Sequence, residues 1–567
     1  MKRALALISA LAFAASACAP APTGGGATGA PTGPAEAPVR GGTAIVAIWQ
    51  EPSTLAPHYA NQTVTDIVNY GVLEGLAETT NEGEYVPTLA TRIPTVGNGG
   101  AVVKGTKLDV TWELKPGLKW SDGAPVTSAD IKFTWEITMK DPKVNNRTGF
   151  SEIESIDTPN ELTAVVHYKS IYAPYPLNFG GTSPALMPKH LLEKEADISK
   201  TEYVRKPIGT GPFKVADFKA GDSITLEKNP NYRGAPDKPY LDKIVFKSVP
   251  SSEVAIAQLK AGEVHAMWNL TESQTPEVEK EPKLALQAVP GPSVERMELN
   301  TAKNEEFTDP NSVHPVLGDI EVRKAILYAT PKQQLIDKLL FGKGKPGTSP
   351  VSQGWAAYRE PQEAYDQKKA NETLDKAGWA KGGDGIRSKG GVRASLTLAT
   401  TSGNQLRERV QQVLVDEYKA IGIEVKIQNQ PSSVILSGSC TGKDPRKLGT
   451  FDMLIYASSP GIDPHSTIFP RYHSKNIPTR ADCSGQNYTR FKDPVADKAI
   501  EEAGATLDQD KRKQAYATAM KQLNAAYVIV WLYDRQDLDA RSVELRGWKA
   551  NTWQRFTWNT EDWYLKK

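Results

Sequence analysis

From Val110 to Asp130 the chain reads VTWELKPGLKWSDGAPVTSAD, and this stretch constrains the fold more tightly than any other. Trp112, Leu114 and Leu118 fall on one side of a short strand that Pro116-Gly117 interrupts. Trp120 opens a polar turn, Ser121-Asp122-Gly123. Thr127 and Asp130 then have capping-box spacing, which predicts a helix from Ser128 with Ile131 and Trp135 on one face. Two tryptophans this close together need a substantial core around the unit.

The N-terminus sets the compartment. Lys2 and Arg3 precede an apolar run from Ala4 to Ala15, followed by Ser16-Ala17-Cys18. The run is short of the ~20 apolar residues that cross a membrane and reads as a secretory signal peptide. Cys18 after Ala15-Ser16-Ala17 fits a lipobox, which makes residues 1–18 a lipoprotein signal peptide and Cys18 the lipidated residue. An ordinary signal peptide cut nearby is the alternative. Residues 19–40 are Pro, Gly, Ala and Thr with almost no bulky apolar side chain, a composition that tethers and does not fold. Gly24 to Gly29 spells G-x-G-x-x-G with no strand before it and no helix after it, so it is no nucleotide site.

The remaining ~525 residues exceed what one core supports, so two or three domains are expected. With 24% charged residues and a net charge of +2, nothing points to nucleic acid or an anionic membrane surface as partner. Seven scattered histidines leave little from which to build a metal site, and no metal or cofactor is expected. Twelve tryptophans and twenty tyrosines suit a large core, and also an aromatic-lined cleft.

Along the chain, Gly41 to Trp49 alternates as a strand, with Ala44, Val46 and Ile48 on one face and Ile45 and Ala47 on the other. Asp66 to Leu76 has helical spacing. Lys206 to Phe213, KPIGTGPF, reads as a tight turn whose glycines supply φ > 0. Ser251 to Ala261 is a helix closed by Gly262. Val294 to Thr301 is a strand, and Asp319 caps a helix with Val322, Ile326 and Leu327 inward. Leu396–Thr400, a helix from Asn404, and Ile423–Ile427 make a β–α–β passage. Phe451 to Ala457 is a buried strand, Asp508 to Leu523 an amphipathic helix, and Val528 to Tyr533 a last strand.

The phrase at 110–130 resembles the signature of family 5 of the bacterial extracellular solute-binding proteins, which deliver peptides, and sometimes nickel chelates or oligosaccharides, to ATP-driven importers. Further phrases match in order: Pro52-x-x-Leu55-x-Pro57, Pro87-Thr88-Leu89-Ala90, KPIGTGPF, Asn229-Pro230-Asn231-Tyr232, and Ala255 to His265. At Thr330-Pro331-Lys332 the chain departs from the family wording. The resemblance implies an α/β fold, the two-lobed periplasmic-binding-protein architecture (type II-like, cluster C) with a small insert domain. By it, residues 41–85, 205–295 and 526–567 form lobe I, 86–204 the insert, and 296–525 lobe II. It further implies a monomer outside the cytoplasmic membrane, served by permease subunits and anchored to the membrane by lipid.

No enzymatic constellation emerges. Gly438-Ser439-Cys440-Thr441-Gly442 has the shape of a nucleophile elbow but sits in polar loop sequence without the required strand and helix. In an exported protein, Cys440 and Cys483 are most simply a disulfide. The resemblance places ligand contacts on the backbone of Tyr456, Ala457 and Ser458, where an extended peptide adds as a strand. Pro460 stands where many peptide binders hold the ligand's ammonium with aspartate; Asp463 could replace it, or serve only a turn with Pro464. Trp49, Glu51, Met297, Asn300, Thr400 and Asn404 face the cleft in the family pattern, and Asn487-Tyr488 shapes its wall. A peptide is the leading cargo, and an oligosaccharide stacked on Trp49 the runner-up. A metal-chelate binder of the same fold, a surface hydrolase and a scaffold lipoprotein are the remaining alternatives.

Overall fold

The computed structural model describes residues 37–567, apart from 60–61, 145–146, 148, 181–184, 308, 310, 438–442, 484 and 567. Cys18, Cys440 and the Gly438–Gly442 run therefore lie outside the described residues.

One sheet of eleven strands organises the described body. In chain order these are β1 (Thr43–Ile48), β2 (Phe213–Lys219), β3 (Ser223–Lys228), β4 (Lys243–Ser248), β5 (Ala266–Met267), β6 (Leu284–Leu299), β7 (Gly344–Pro346), β8 (Ser395–Ala399), β9 (Glu424–Ile427), β10 (Met453–Ser458) and β11 (Ile529–Ser542). Their spatial order is β9-β8-β10-β6-β11-β5-β1-β4-β3-β2, with β7 paired to β11. β8 runs parallel to both β9 and β10, and β1 parallel to both β4 and β5.

Two long antiparallel strands join the halves. β6 has 16 residues and β11 has 14. The C-terminal part of β6 pairs with β10, while Ala540 and Arg541 of β11 pair with β5. The sequence predicts only Val294–Thr301 and Val528–Tyr533; Pro290-Gly291-Pro292 lies just before the first of these. In the structure β6 carries these residues through, and its register against β11 slips between Pro290 and Val294. Proline is tolerated at such an irregularity because no ladder N–H is needed there.

Each half buries both faces of its sheet. Ala44, Val46 and Ile48 of β1 pack with Ile67, Phe246 and Trp563, while Ala47 packs with Ile256, Leu259 and Leu538. In the other half, Met297, Leu299 and Ile455 pack against Val410, Leu414 and Tyr418 of the helix Gln405–Ala420. The opposite face, through Val294 and Trp531, is covered by Ala496 and Ile500 of Pro494–Gly504 and by Tyr516 and Met520 of Gln509–Ala525.

The 110–130 stretch belongs to a separate four-stranded sheet (Ala101–Lys104, Lys107–Glu113, Thr163–Tyr168, Ile153–Asn160) with Trp112 and Trp120 in its core. The predicted capping box forms: Asp130 Oδ2 accepts from the Thr127 N–H at 2.8 Å and begins the helix Ser128–Lys140. In KPIGTGPF the reason for glycine differs from the expectation. Gly209 and Gly211 are absent from the left-handed region. A Cβ on Gly209 would come within 1.9 Å of the Val72 carbonyl oxygen, so close approach of two backbones requires glycine there.

Candidate functional site

Where the hinge strands slip, β6, β10 and β11 enclose a cavity of about 180 Å³ together with the chain following β5 and the C-terminal segment. Ser293 of β6, Ala457 of β10 and Arg535–Asp539 of β11 meet Trp268, Trp548, Gln554 and Arg555 there. β10 thus contributes a strand edge, and β11, the chain after β5 and the C-terminal segment the aromatic and charged walls.

That edge is open. β10 is paired along its length with β6, but with β8 only at Met453 and Leu454. Thr400 Oγ1 donates to the Ile455 carbonyl at 2.9 Å and closes the ladder. Beyond it, Tyr456–Ser458 have no ladder partner on that side among the described residues. Larger cavities of about 660 and 640 Å³ lie elsewhere, one beside Lys332 and Asp534, the other lined by Tyr175 and Trp355. Neither is lined by Tyr456–Ser458.

The sequence-predicted site residues separate into two groups. Ala457 lines the 180 Å³ cavity. Trp49 is 41% exposed and stacks on the cavity-lining Trp268 with ring centroids 5.6 Å apart. The Tyr456 ring lies between the guanidinium groups of Arg296 and Arg446, at 4.1 and 5.2 Å, and Ser458 Oγ accepts from Arg471. These contacts engage both side chains, although Tyr456 Oη is buried without a hydrogen-bond partner among the described residues.

The other side chains make contacts within the protein. Met297 is fully buried in the lobe II core. Asn300 donates to the carbonyls of Gly449 and Phe451 at 3.1 and 2.9 Å. Asn404 caps its helix by accepting from the Arg407 N–H at 3.1 Å. The Glu51 carboxylate accepts from the Gly221 N–H in the β2–β3 turn. Asn487 holds a turn through the N–H and C=O of Phe491, and Tyr488 lies under Arg446 at 5.0 Å. Asp463 is 3% exposed and ion-paired with Arg512 through two bonds of 2.7 and 2.8 Å. It also accepts from the His465 N–H at 2.9 Å, a turn contact, and lines the 640 Å³ cavity.

Sequence reasoning missed the lobe I wall. Asp537 and Asp539 lie two apart on β11, a spacing that puts them on one face, but the strand was expected to end at Tyr533. Asp537 pairs with Arg555 at 2.8 Å, and Glu272 with Arg535 at 3.2 Å. Burial pushes the Asp539 carboxyl up to about 7, against a lowering by the Asn269 N–H that it accepts at 2.9 Å. Burial likewise raises Asp66 to about 6, with Arg555 opposing. No cluster of side chains able to hold a metal ion occurs among the described residues, and no described helix is long and apolar enough to cross a membrane.

Two sheet halves joined by two long strands, with a cavity and a strand edge at the junction, define a two-lobed fold. Residues 84–479 match the family described as bacterial extracellular solute-binding proteins, family 5 Middle. The oligopeptide-binding protein AppA of Bacillus subtilis is 28% identical over 539 residues, covering 94% of this chain and 93% of that protein. Protein XP55 of Streptomyces lividans is 29% identical over 532 residues, covering 91% and 87% respectively. The structure of B. subtilis AppA in complex with a nonapeptide superposes with a TM-score of 0.68 at 27% identity, over 94% of this chain and 100% of that one. HbpA2 from Haemophilus parasuis superposes at 0.77 with 19% identity, over 93% and 100%, a likeness of fold. The chain belongs to family 5 of the bacterial extracellular solute-binding proteins and has their two-lobed α/β fold.

Proposed function

We propose that this protein captures peptides between its lobes and delivers them to the permease of an ABC importer, with no catalytic step. The observation that carries this reading is the open edge of β10 at Tyr456–Ser458 beside the interlobe cavity. An extended peptide would pair with these main-chain groups as an added strand, which supplies affinity without reading side chains. Bending of β6 and β11 at their irregular register would let the lobes close over it, and the closed form is what a permease would recognise. The relative crystallised with a nonapeptide supports the same cargo. The reading includes a monomer exported and held to the membrane through a lipidated Cys18, and a Cys440–Cys483 disulfide in lobe II.

A second reading, an oligosaccharide, is favoured by the exposed Trp49–Trp268 stack, a platform suited to sugar rings. Mass spectrometry of ligand released from natively purified protein separates them. Peptides are expected; a carbohydrate alone would overturn the cargo and leave the fold intact.

A further inference from the structure

The 180 Å³ cavity holds more charge and more unused hydrogen-bonding capacity than pairing with a peptide main chain requires. One guanidinium, Arg555, interacts with three carboxylates: Asp66 on the helix Thr63–Asn69, and Asp537 and Asp539 on β11. Asp537 takes the ion pair, and the other acid at the rim, Glu272, is paired with Arg535. Asp539 is 5% exposed and has the Asn269 N–H as hydrogen-bond partner, but no ion pair among the described residues. Gln554, 2% exposed, has both amide atoms buried without a partner. Gln536 Oε1 and Trp548 Nε1, on the same lining, also have none. Buried polar atoms are nearly always satisfied in a folded protein, so a cluster of unused ones beside a cavity is met by water or by a guest that displaces it. The walls are aromatic: Trp268, and Trp548 held in a stack with Phe556 at 4.6 Å and Trp563 at 5.3 Å.

We infer that this cavity receives a cationic group of the cargo, an ammonium or guanidinium, with Asp539 as counter-ion, Trp268 as the facing ring and the Gln554 amide as hydrogen-bond partner. The inference rests on the peptide reading above. A pocket of this size is smaller than the ~300–1,000 Å³ that encloses a whole small ligand, so it takes one terminus or side chain. An acid beside an aromatic face is the arrangement that holds a desolvated cation. The cation enters from the strand edge at Ala457, which gives lobe I the role of charge anchor that Pro460 denies to lobe II.

The cation can come from two sources, a peptide's own N-terminus or a lysine or arginine side chain, and both are testable with four synthetic pentapeptides. These are all-alanine or with a central lysine, each with a free or an acetylated N-terminus. Calorimetric titration into the mature protein should show a cation-bearing peptide binding about ten- to a hundredfold tighter than acetylated all-alanine. Acetyl-lysine-centred against free all-alanine identifies the source. Asp539→Asn should abolish the preference among the four peptides. Since Asp539 sits near neutrality when empty, the wild type should bind the favoured peptide more tightly at pH 8 than at pH 6, with proton release at the lower pH. This second measurement does not depend on the variant folding. Four peptides bound alike, or a preference that survives Asp539→Asn, would overturn the inference and leave peptide capture standing. No binding by any of the four would overturn both.

Discussion

Replacing Asp463 tests whether this buried acid serves the ligand or the fold. Its carboxylate meets Arg512 through bonds of 2.7 and 2.8 Å, with side chains 4% and 6% exposed. Arg512 also donates to the Ala503 carbonyl at 3.0 Å, which ties its own helix Gln509–Ala525 to Pro494–Gly504, and to Tyr516 Oη one turn on at 3.0 Å. Removing one partner of such a buried pair costs about 3–5 kcal/mol, because the other charge stays buried. An asparagine side chain would keep one acceptor, so Asp463→Asn is expected at the lower end, ~3 kcal/mol. Unfolding entropy of ~2.1 cal/mol/K per residue over ~530 residues gives ~1.1 kcal/mol/K, so the melting temperature should fall by about 3 °C. Differential scanning calorimetry measures this directly. Titration with free and acetylated peptides in parallel should show the same ratio of affinities as in the wild type. An unchanged melting temperature together with a loss of free-amine preference beyond about tenfold would make Asp463 the ligand's anchor and refute the assignment. Asp463→Leu with Arg512→Leu should recover part of the loss, since no charge is then stranded.

Thiol titration of the unfolded, non-reduced mature protein is expected to find neither Cys440 nor Cys483 free; the ~40-residue loop would contribute up to ~4 kcal/mol, and two reactive thiols would exclude the bridge. Cys18→Ala should release the protein from membranes and block its lipid-dependent processing, and unchanged fractionation would count against the anchor. His58 is held down to about 4 by burial, with the Ala185 backbone acting in the opposite direction. The native state therefore stays unprotonated between about pH 6.5 and 4 while the unfolded chain takes up a proton, so this residue's contribution to stability falls as pH is lowered, at up to ~1.4 kcal/mol per unit. His58→Phe should flatten that part of the profile in urea titrations at pH 7, 6 and 5; an unaltered slope would show that His58 titrates normally.

Features with local causes were legible in the sequence. The Thr127–Asp130 capping box, the Gly262 C-cap at φ 76°, the Asp319 N-cap and the alternation of β1 each depend on residues within a few positions of one another. The ordered phrases from Pro52 to His265 identified the family because they were read together. The tertiary structure decided the rest. Pro290-Gly291-Pro292 looks like the end of a strand until β11, about 240 residues away, supplies the partner that carries β6 through a register slip. Asn300, Thr400 and Asn487 have polar side chains at strand ends and turns, where a ligand or an unpaired backbone group can claim them with equal chemistry. Their neighbours' carbonyls and N–H groups lay closer. Asp463 and Asp539 are both buried acids. Arg512 neutralises the first from 49 residues away, while no cation among the described residues pairs with the second. A side chain's charge is written in the sequence, but what remains of it for a ligand depends on which distant groups burial forces against it.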